Sequence, residues 1–283
     1  MLHPFARYDK HMKHQSLPGA PRVAFFGGSF DPPHLGHLAV ARAARAALNL
    51  DTVLFAPVGA QPLKPHGSTA SFEDRLAMTR VAIDGEPGFA ISLADAPKPS
   101  GALNFTLETL LALRAQIPPG GVLFCLMGAD SFVSLRHWHR SAEIPFVAPL
   151  IVASRPLALR PIASPPGQSA KEQLAFLQAE LPPGLTIVPE SDTQTPEADR
   201  QRPTGKVALQ SYRLHNSTGQ SAPLYVLPGL HIEISASQIR DQIRDRIQPQ
   251  AGAASPNPTA QQDLLPQTVL EFIRSHGLYQ SSV

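Results

Sequence analysis

Cysteine is nearly absent from this sequence, and so are long apolar runs. One cysteine, Cys125, occurs in 283 residues, which excludes a disulfide framework, and its place within the apolar run 122–127 predicts a small buried side chain. No stretch approaches the roughly 20 apolar residues of a membrane-spanning helix, so we expect no membrane partner. The first twenty residues have no continuous apolar core, so we expect a loose extension over 1–20, no signal peptide and a cytoplasmic protein.

Neither sign of charge dominates the chain. Lysine and arginine number 24 against 22 aspartate and glutamate, giving a formal net charge of +2 with both signs spread along the sequence. This balance gives no argument for nucleic acid as the main partner. Apolar residues make up 43% of the chain, which is enough for a full core.

One stretch near the amino terminus predicts a strand, a glycine turn and a helix. The apolar run 23–26 precedes Gly27 and Gly28, and an alanine-rich run follows. Two glycines let the backbone turn sharply and let a ligand approach the main chain. A helix beginning after the turn would offer unpaired N–H groups and the positive end of its dipole to a phosphate. His34 and His37 lie at that helix entrance, where imidazoles can donate hydrogen bonds to phosphate oxygens.

The turn differs from two widespread phosphate-binding motifs. No Gly-Lys-Ser/Thr follows it, and it lacks the Gly-x-Gly-x-x-Gly spacing of dinucleotide-binding proteins. A Gly-Gly pair alone would indicate only a buried strand and a tight turn. The whole unit 27–37, read as Gly-Gly-Ser-Phe-Asp-Pro-Pro-His-Leu-Gly-His, instead resembles the first signature of the nucleotidylyltransferase superfamily, the HxGH enzymes.

Predicted strands and helices alternate through the first half of the chain. The predicted strands are 23–26, 52–58, 89–93, 122–127 and 146–153, the last interrupted by Pro149. This alternation predicts a doubly wound parallel α/β sheet, the Rossmann-like fold that the resemblance also implies. Ligands bind beyond the carboxyl ends of such strands at a topological switch point. The residues at those ends are 27–37, 57–64, 128–130 and 154–155.

The second half is more polar, and we expect one domain over 21–283. The predicted elements are a helix over 171–181, a strand over 185–188 and a helical carboxyl-terminal part over 264–279, which Gly277 would end. Residues 190–223 have too little apolar content to pack a core and predict a polar, partly mobile insertion. A further loop is expected at about 249–262. Residues 225–227 either return to the sheet or form a loop.

A second motif lies at Ile234–Arg240. Ser235 followed by Gln238 fits a capping box, so a helix is predicted to start there and to present Ser237 and Arg240 to an anion. A capping box alone more often marks an ordinary surface helix. The segment, however, resembles the second superfamily signature, Ile-Ser-x-Ser/Thr-x-Ile-Arg, and the two signatures occur in the right order.

Other features are similar to the nicotinate-nucleotide adenylyltransferases, over about 22–160 and 224–280. The matching positions are Lys64 after a proline-rich loop, Asn104-Phe105-Thr106, Gly128-Ala129-Asp130-Ser131, Trp138, Ser154-Arg155-Pro156, and 264–266 with 276–279. The chain departs from the family where Phe105 replaces a tyrosine and Leu63 a histidine, and in the length of its 190–223 segment. The resemblance implies adenylyl transfer from ATP to nicotinate mononucleotide, a step of NAD biosynthesis.

The resemblance also implies roles for individual residues. The catalytic group is His34, His37, Lys64 and Arg240; the ATP-binding group adds Gly28, Ser29, Phe30, Gly128, Asp130 and Ser237; the nicotinate mononucleotide-binding group is Thr106, Asp130, Trp138, His139 and Arg155. Mg²⁺ would enter with ATP and need no protein metal site. Simpler roles stay open: Trp138 as core, Thr106 as a helix N-cap, and Lys64 or Arg155 as solvated charges.

Rival functions also remain open from the sequence. The nearest is an adenylyl- or cytidylyltransferase for another acceptor, such as nicotinamide mononucleotide or phosphopantetheine. A non-catalytic nucleotide-binding regulator would keep the fold, but the loss of a motif histidine or of Arg240 would have favoured it, and all three are present. A homo-oligomer is possible on this sequence.

Overall fold

A computed structural model describes residues 20–63, 67–153, 170–190, 209–227, 236–247 and 264–280. Eight strands in these residues form one sheet in the order β3-β2-β1-β4-β5-β8-β7-β6. The strands are β1 Arg22–Gly28, β2 Thr52–Pro57, β3 Phe89–Ile91, β4 Val122–Gly128, β5 Leu150–Ala153, β6 Leu185–Pro189, β7 Gln210–Asn216 and β8 Ser221–Leu227. The helices are α1 Leu35–Leu48, α2 Phe72–Ile83, α3 Thr106–Arg114, α4 Ala129–Ser134, α5 Ile144–Val147, α6 Ala170–Glu180, α7 Ala236–Ile247 and α8 Gln267–Ser275.

The predicted doubly wound α/β sheet is confirmed. Neighbouring strands from β3 through β8 pair in parallel, and β7 alone among the described strands runs opposite, pairing antiparallel with β8 and β6. The chain passes from β1 to β2 on one side and returns to β4 on the other. The switch point therefore lies at the carboxyl ends of β1 and β4, where such sheets bind ligands.

Strand β1 shows why the sheet is covered on both faces. Its central residues are almost completely buried, and successive side chains point to opposite faces. Ala24 and Phe26 belong to the core that contains the buried alanines of α1, while Phe25 belongs to the core that contains the leucines of α3. The small alanine side chains let α1 pack closely on the sheet.

The predicted fifth strand over 146–153 is wrong in its first half. Residues Ile144–Val147 form the single helical turn α5, which has a proline in its first turn, and β5 covers only Leu150–Ala153. Proline suits the first turn of a helix, where an N–H would have no intrahelical partner. Pro149 comes just before β5, and its carbonyl accepts a hydrogen bond of 2.9 Å from the Cys125 N–H.

The expected insertion at 190–223 is wrong for residues 210–223, which belong to the sheet. Strands β7 and β8 form a hairpin closed by the Asn216 side chain, whose Oδ1 accepts hydrogen bonds from the N–H groups of Thr218 at 3.1 Å and Gln220 at 2.9 Å. Tyr212 and Leu214 are buried on one face. The polar residues Ser211, Arg213 and His215 alternate with these two, so a period-two pattern was present within a polar composition.

Residues 225–227 return to the sheet as part of β8. The expected loop at 249–262 and the loose extension over residues 1–19 lie outside the described residues. Within the part of the chain that the structure describes, none of the helices has the length and apolar character to cross a membrane.

The carboxyl-terminal helix α8 packs against α2. Val269 and Ile273 are buried at this contact side, and the Thr268 hydroxyl donates to the Val81 carbonyl at 2.9 Å. Gly277 follows the helix with φ of +60°, the left-handed conformation expected of a glycine stop. The chain then continues to Tyr279, which takes part in the site described below.

Candidate active site

The glycine turn begins at the end of β1, whose last two residues are Gly27 and Gly28. The Gly28 carbonyl accepts a hydrogen bond of 3.0 Å from the Val58 N–H, which ties the ends of β1 and β2 together. Gly27 has no room for a side chain, since a Cβ there would lie 2.7 Å from the Phe25 ring. Phe30 has φ of +48°, and its ring is fully buried with ring centroids 5.6 Å from Phe26. Any contact of Phe30 with a ligand must therefore use its backbone.

His34 and His37 form the entrance of α1. His34 is the N-cap, with extended backbone at φ −138° and ψ 169°, and its N–H donates to His37 Nδ1 at 3.1 Å. The two rings lie with centroids 3.7 Å apart. Because Nδ1 of His37 accepts a hydrogen bond, a neutral His37 carries its proton on Nε2. A neutral His37 is thereby held as a donor through Nε2, at the amino-terminal end of α1.

Arg240 on α7 reaches the same turn. Its Nη1 donates to the Asp31 backbone carbonyl at 2.6 Å, between residues 209 positions apart in sequence, and its Nη2 donates to the Ser237 hydroxyl at 3.1 Å. The two signature segments therefore meet in space. Arg240 thereby brings a positive charge to the segment that leads into His34 and His37, with the Ser237 hydroxyl in contact with its guanidinium.

Asp31 is the centre of this arrangement, and the sequence reasoning did not assign it a role. Its buried carboxylate accepts from the N–H groups of Thr69 at 2.6 Å and Ala70 at 3.2 Å, and from the Tyr279 hydroxyl at 2.7 Å. Burial and the neighbouring Asp31 charge both raise the pKa of Tyr279, which keeps its proton for this bond. Asp31 thus joins the turn to the carboxyl-terminal segment.

A cavity of about 400 Å³ opens beside the turn. It brings together five of the predicted site residues, namely Gly28, Ser29, Thr106, Trp138 and His139. Side chains that were not predicted to bind ligands also line it, including Gln61, Asp95, Asn104, Ser131 and Ser134. A few polar groups on a mostly apolar wall are typical of small-molecule sites.

Asn104 fixes one wall of the cavity. Its backbone N–H donates to the Ala60 carbonyl at 2.9 Å, its Oδ1 accepts from the Ala60 N–H at 3.0 Å, and its Nδ2 donates to the Ala96 carbonyl at 3.0 Å. The same two loops touch at Gly59, where a Cβ would lie 2.5 Å from the Pro97 nitrogen. The sequence showed Asn104 only as part of a family resemblance, because its partners are distant in sequence.

Aromatic side chains form another wall. Trp138 is half-buried, and its Nε1 donates to the Ser134 hydroxyl at 3.2 Å. Trp138 packs against the core on one side while it also faces the cavity, so it is not simply a core residue. The Phe105 and His139 rings lie with centroids 4.6 Å apart.

Thr106 is the first residue of α3. The alternative that Thr106 caps this helix is wrong, because Phe105 holds the N-cap position and provides no side-chain cap. Thr106 therefore keeps its hydroxyl for another role, and it faces the cavity.

Two titratable groups on the cavity wall are almost completely buried. The Asp95 carboxylate accepts a hydrogen bond of 2.8 Å from the Thr109 hydroxyl, and burial raises its pKa against the effect of this bond. Burial raises the pKa of the Cys125 thiol to about 12, as expected for a small buried residue. Neither residue was predicted as part of a site, since neither belongs to a motif that sequence alone reveals.

Four further predicted site residues, Gly128, Asp130, Lys64 and Arg155, are not among the described residues that line the cavity. Gly128 is the N-cap of α4, and Asp130 is exposed in the first turn of that helix. Gly128 is also the last residue of β4, so both residues lie at the switch point, although neither lines the cavity. Lys64 and Arg155 lie outside the described residues. The described residues contain no group of three or more His, Cys, Asp or Glu side chains arranged to hold a metal ion.

Comparisons with known proteins also relate this chain to nucleotidyltransferases. The chain matches the cytidylyltransferase-like family over residues 25–242. It is 31% identical over 258 residues to the probable nicotinate-nucleotide adenylyltransferase of Gloeobacter violaceus, with 91% of this chain and 96% of that protein covered. The corresponding protein of Trichlorobacter lovleyi is 32% identical over 259 residues, with 92% and 99% covered.

A solved structure shares the fold at lower sequence identity. The structure of Plasmodium falciparum nicotinic acid mononucleotide adenylyltransferase complexed with NaAD covers 93% of this chain and 98% of its own, with a TM-score of 0.56 and 14% identity. At that identity the likeness concerns the fold.

Proposed function

Because the chain belongs to the nicotinate-nucleotide adenylyltransferase family, we propose that it transfers the adenylyl group of ATP to nicotinate mononucleotide. The products are nicotinate adenine dinucleotide and pyrophosphate, in the route to NAD. One observation carries the proposal from the structure. Arg240 contacts the glycine turn at the Asp31 carbonyl, and the start of this turn, at Gly28 and Ser29, lines a cavity that Thr106 and Trp138 also line.

The reaction requires positioning more than covalent chemistry. The acceptor phosphate attacks the α-phosphorus of ATP in line, and pyrophosphate leaves. Negative charge on the α-phosphate oxygens then needs donors that are already in place. His37 supplies Nε2–H, and the start of α1 supplies backbone N–H groups and its dipole. Arg240 supplies positive charge towards the β- and γ-phosphates, together with the Ser237 hydroxyl.

The ATP-binding set extends beyond these donors. Gly28, Ser29 and Phe30 line the nucleotide through their backbone, and His34 assists His37 at the phosphates. Gly128 and Asp130 would face the nucleotide from the end of β4, where Asp130 would hold a ribose hydroxyl. Mg²⁺ enters with ATP as part of the substrate, bound to its phosphates.

The cavity is proposed to hold the pyridine end of the acceptor. Trp138 would stack on the ring, while Thr106 and the backbone N–H near His139 would donate to the carboxylate. Arg155 would meet the acceptor phosphate, and Lys64 would neutralise charge near the reacting phosphates. The bond from Trp138 to Ser134 supports the stacking role, because it holds the indole in a fixed orientation on the cavity wall.

An acceptor panel tests the activity. The protein is incubated with Mg-ATP and, separately, nicotinate mononucleotide, nicotinamide mononucleotide and phosphopantetheine, and pyrophosphate and the adenylylated product are measured. We expect nicotinate adenine dinucleotide as the main product. Adenylylation of phosphopantetheine without any dinucleotide would contradict the proposed acceptor.

A further inference from the structure

Arg75 on α2 is a buried cation with no role assigned above. Only 2% of its surface is exposed, and a charged side chain is seldom buried to this extent unless it is paired. Its guanidinium donates to three backbone carbonyls: Nη1 to Ser29 at 2.7 Å, Nη2 to Val58 at 2.9 Å and Nε to Ala70 at 3.3 Å. Burial lowers the pKa of Arg75, the nearby Asp31 carboxylate opposes this, and an arginine remains charged.

The three carbonyls belong to three different segments. Ser29 is in the glycine turn after β1, Val58 directly follows β2, and Ala70 precedes α2. Strands β1 and β2 are neighbours in the sheet, and their carboxyl ends are the edge at which ligands bind. The guanidinium is planar, with its donors in a rigid fork, so one side chain fixes the relative positions of all three segments.

The turn needs such support because its backbone is strained. Phe30 has φ of +48°, a left-handed conformation that is unfavourable for a residue other than glycine. Strained conformations persist only where the surroundings determine them. Since the Ser29–Phe30 peptide is trans, holding the Ser29 carbonyl on Arg75 aims the Phe30 N–H in the opposite direction. The Ser29 hydroxyl is held separately, by a hydrogen bond of 2.9 Å from Gln61.

We propose that Arg75 is a positioning residue for adenylyl transfer, one that fixes the glycine turn relative to the end of β2. This inference rests on the proposed function. Arg75 acts indirectly: it orients the backbone of Ser29 and Phe30, which is proposed to line the nucleotide. Arg75 itself does not contact the substrate. A misplacement of about 1 Å in a reacting geometry costs up to about 100-fold in rate. Loss of Arg75 is therefore expected to lower kcat more than it raises the Kd for Mg-ATP.

The test compares Arg75→Met and Arg75→Lys with a matched control, Arg22→Met. Arg22 lies at the opposite end of β1, where its Nε donates to the Leu48 carbonyl at 2.9 Å and its guanidinium lies 5.0 Å from the centre of the Phe124 ring. Both arginines brace the same sheet, but only Arg75 holds the turn. For each protein, kcat, both KM values, the Kd for Mg-ATP and the unfolding temperature are measured, with kinetics well below unfolding.

We expect both methionine variants to unfold at lower temperature, while only Arg75→Met loses about 10- to 100-fold in kcat. Arg75→Lys should lose about 10-fold or more as well, because one ammonium cannot replace the three-way fork. In Arg75→Ala, millimolar guanidinium should restore part of kcat, whereas methylammonium should not. A folded Arg75→Met or Arg75→Lys with the parent kcat would overturn the proposal, and Arg75→Lys decides it if Arg75→Met does not fold.

The experiments distinguish failure of the proposed activity from failure of the proposed role of Arg75. The rate of the parent protein with nicotinate mononucleotide reports on the activity alone. The ratio of variant to parent reports on Arg75, and it is measured with whichever acceptor of the panel the parent uses. An unchanged ratio with an active parent rejects only the role of Arg75.

Discussion

The Tyr279 hydroxyl donates a hydrogen bond of 2.7 Å to the Asp31 carboxylate, across 248 positions of sequence. Asp31 in turn offers its backbone carbonyl to Arg240. Tyr279, which follows α8, therefore supports Asp31, and Asp31 in turn contacts Arg240, the arginine proposed to bind the phosphates. This support is made by a tyrosine whose hydroxyl is buried and stays protonated.

Tyr279→Phe removes this donor and keeps the ring. We expect a lower unfolding temperature, since a hydrogen bond to a charged group contributes about 1.5–3 kcal/mol. We also expect a several-fold rise in the KM for ATP, because the Asp31 segment that Arg240 contacts is held less firmly. Tyr212→Phe on β7 is the control, because that tyrosine is also buried but lies in the antiparallel part of the sheet. A KM for ATP that changes equally in both variants would contradict the link to Arg240.

His37→Ala is expected to lower kcat by about 100- to 1000-fold, with a much smaller effect on ATP binding. The reason is that a donor aimed at charge developing in the transition state contributes there preferentially. Steady-state kinetics and calorimetry with Mg-ATP separate the two effects. His215→Ala on β7 serves as the control. Parent turnover in His37→Ala would remove His37 from the catalytic residues.

Thr106→Val tests the choice of acid over amide. A nicotinate carboxylate accepts hydrogen bonds, whereas an amide would turn its NH₂ towards donors and leave them unpaired. We expect the parent to prefer the acid by about 100-fold or more in kcat/KM, although Phe105 lacks the hydroxyl of the usual tyrosine, and Thr106→Val to reduce that preference. The measurement is kcat/KM for both mononucleotides. An unchanged preference in Thr106→Val would reject this pocket assignment.

Asp95→Asn tests the buried carboxyl on the cavity wall. Burial raises the pKa of Asp95 above its ordinary value of 3.8, so the folded protein binds this proton more tightly than the unfolded chain. The free energy of unfolding then falls as pH rises from the ordinary value through the raised one. Asparagine keeps an oxygen for the Thr109 hydroxyl and does not ionise.

We therefore expect Asp95→Asn to be more stable than the parent at neutral pH, with the difference shrinking as pH falls below this window. Urea unfolding over a pH series measures it, with Asp84→Asn as an exposed control. A difference in stability that does not change with pH would show that Asp95 does not titrate in this way.

Local spacing made much of the site predictable. The glycines, His34 and His37 lie within one continuous turn, so their arrangement follows from the strand, turn and helix that they belong to. Arg240 was predicted to meet them only through a family resemblance. What it contacts there, the Asp31 carbonyl, depends on how α7 packs and could not be derived from spacing.

The errors have equally local causes. Leu214 is completely buried in a segment whose overall composition is polar, and composition masked the alternation that marks β7. Pro149 was read as an interruption within a strand, although it separates a helical turn from β5. Asp95 and Arg75 belong to no short motif, and their partners are brought together only by the fold. Asn104 belongs to a motif of the family resemblance, but its contacts with Ala60 and Ala96 likewise depend on the fold.

The strand order has a consequence for how the chain assembles during translation. Five adjacent strands, β3-β2-β1-β4-β5, come entirely from residues 22–153, while β8, α7 and α8 are made later. Domains emerge from the ribosome amino end first. We expect a nascent chain that has reached Ala153 to hold a parallel sheet with its glycine turn but without Arg240 or Tyr279. The chain would then become able to bind the triphosphate of ATP only late in its synthesis, after α7 and α8 have been made.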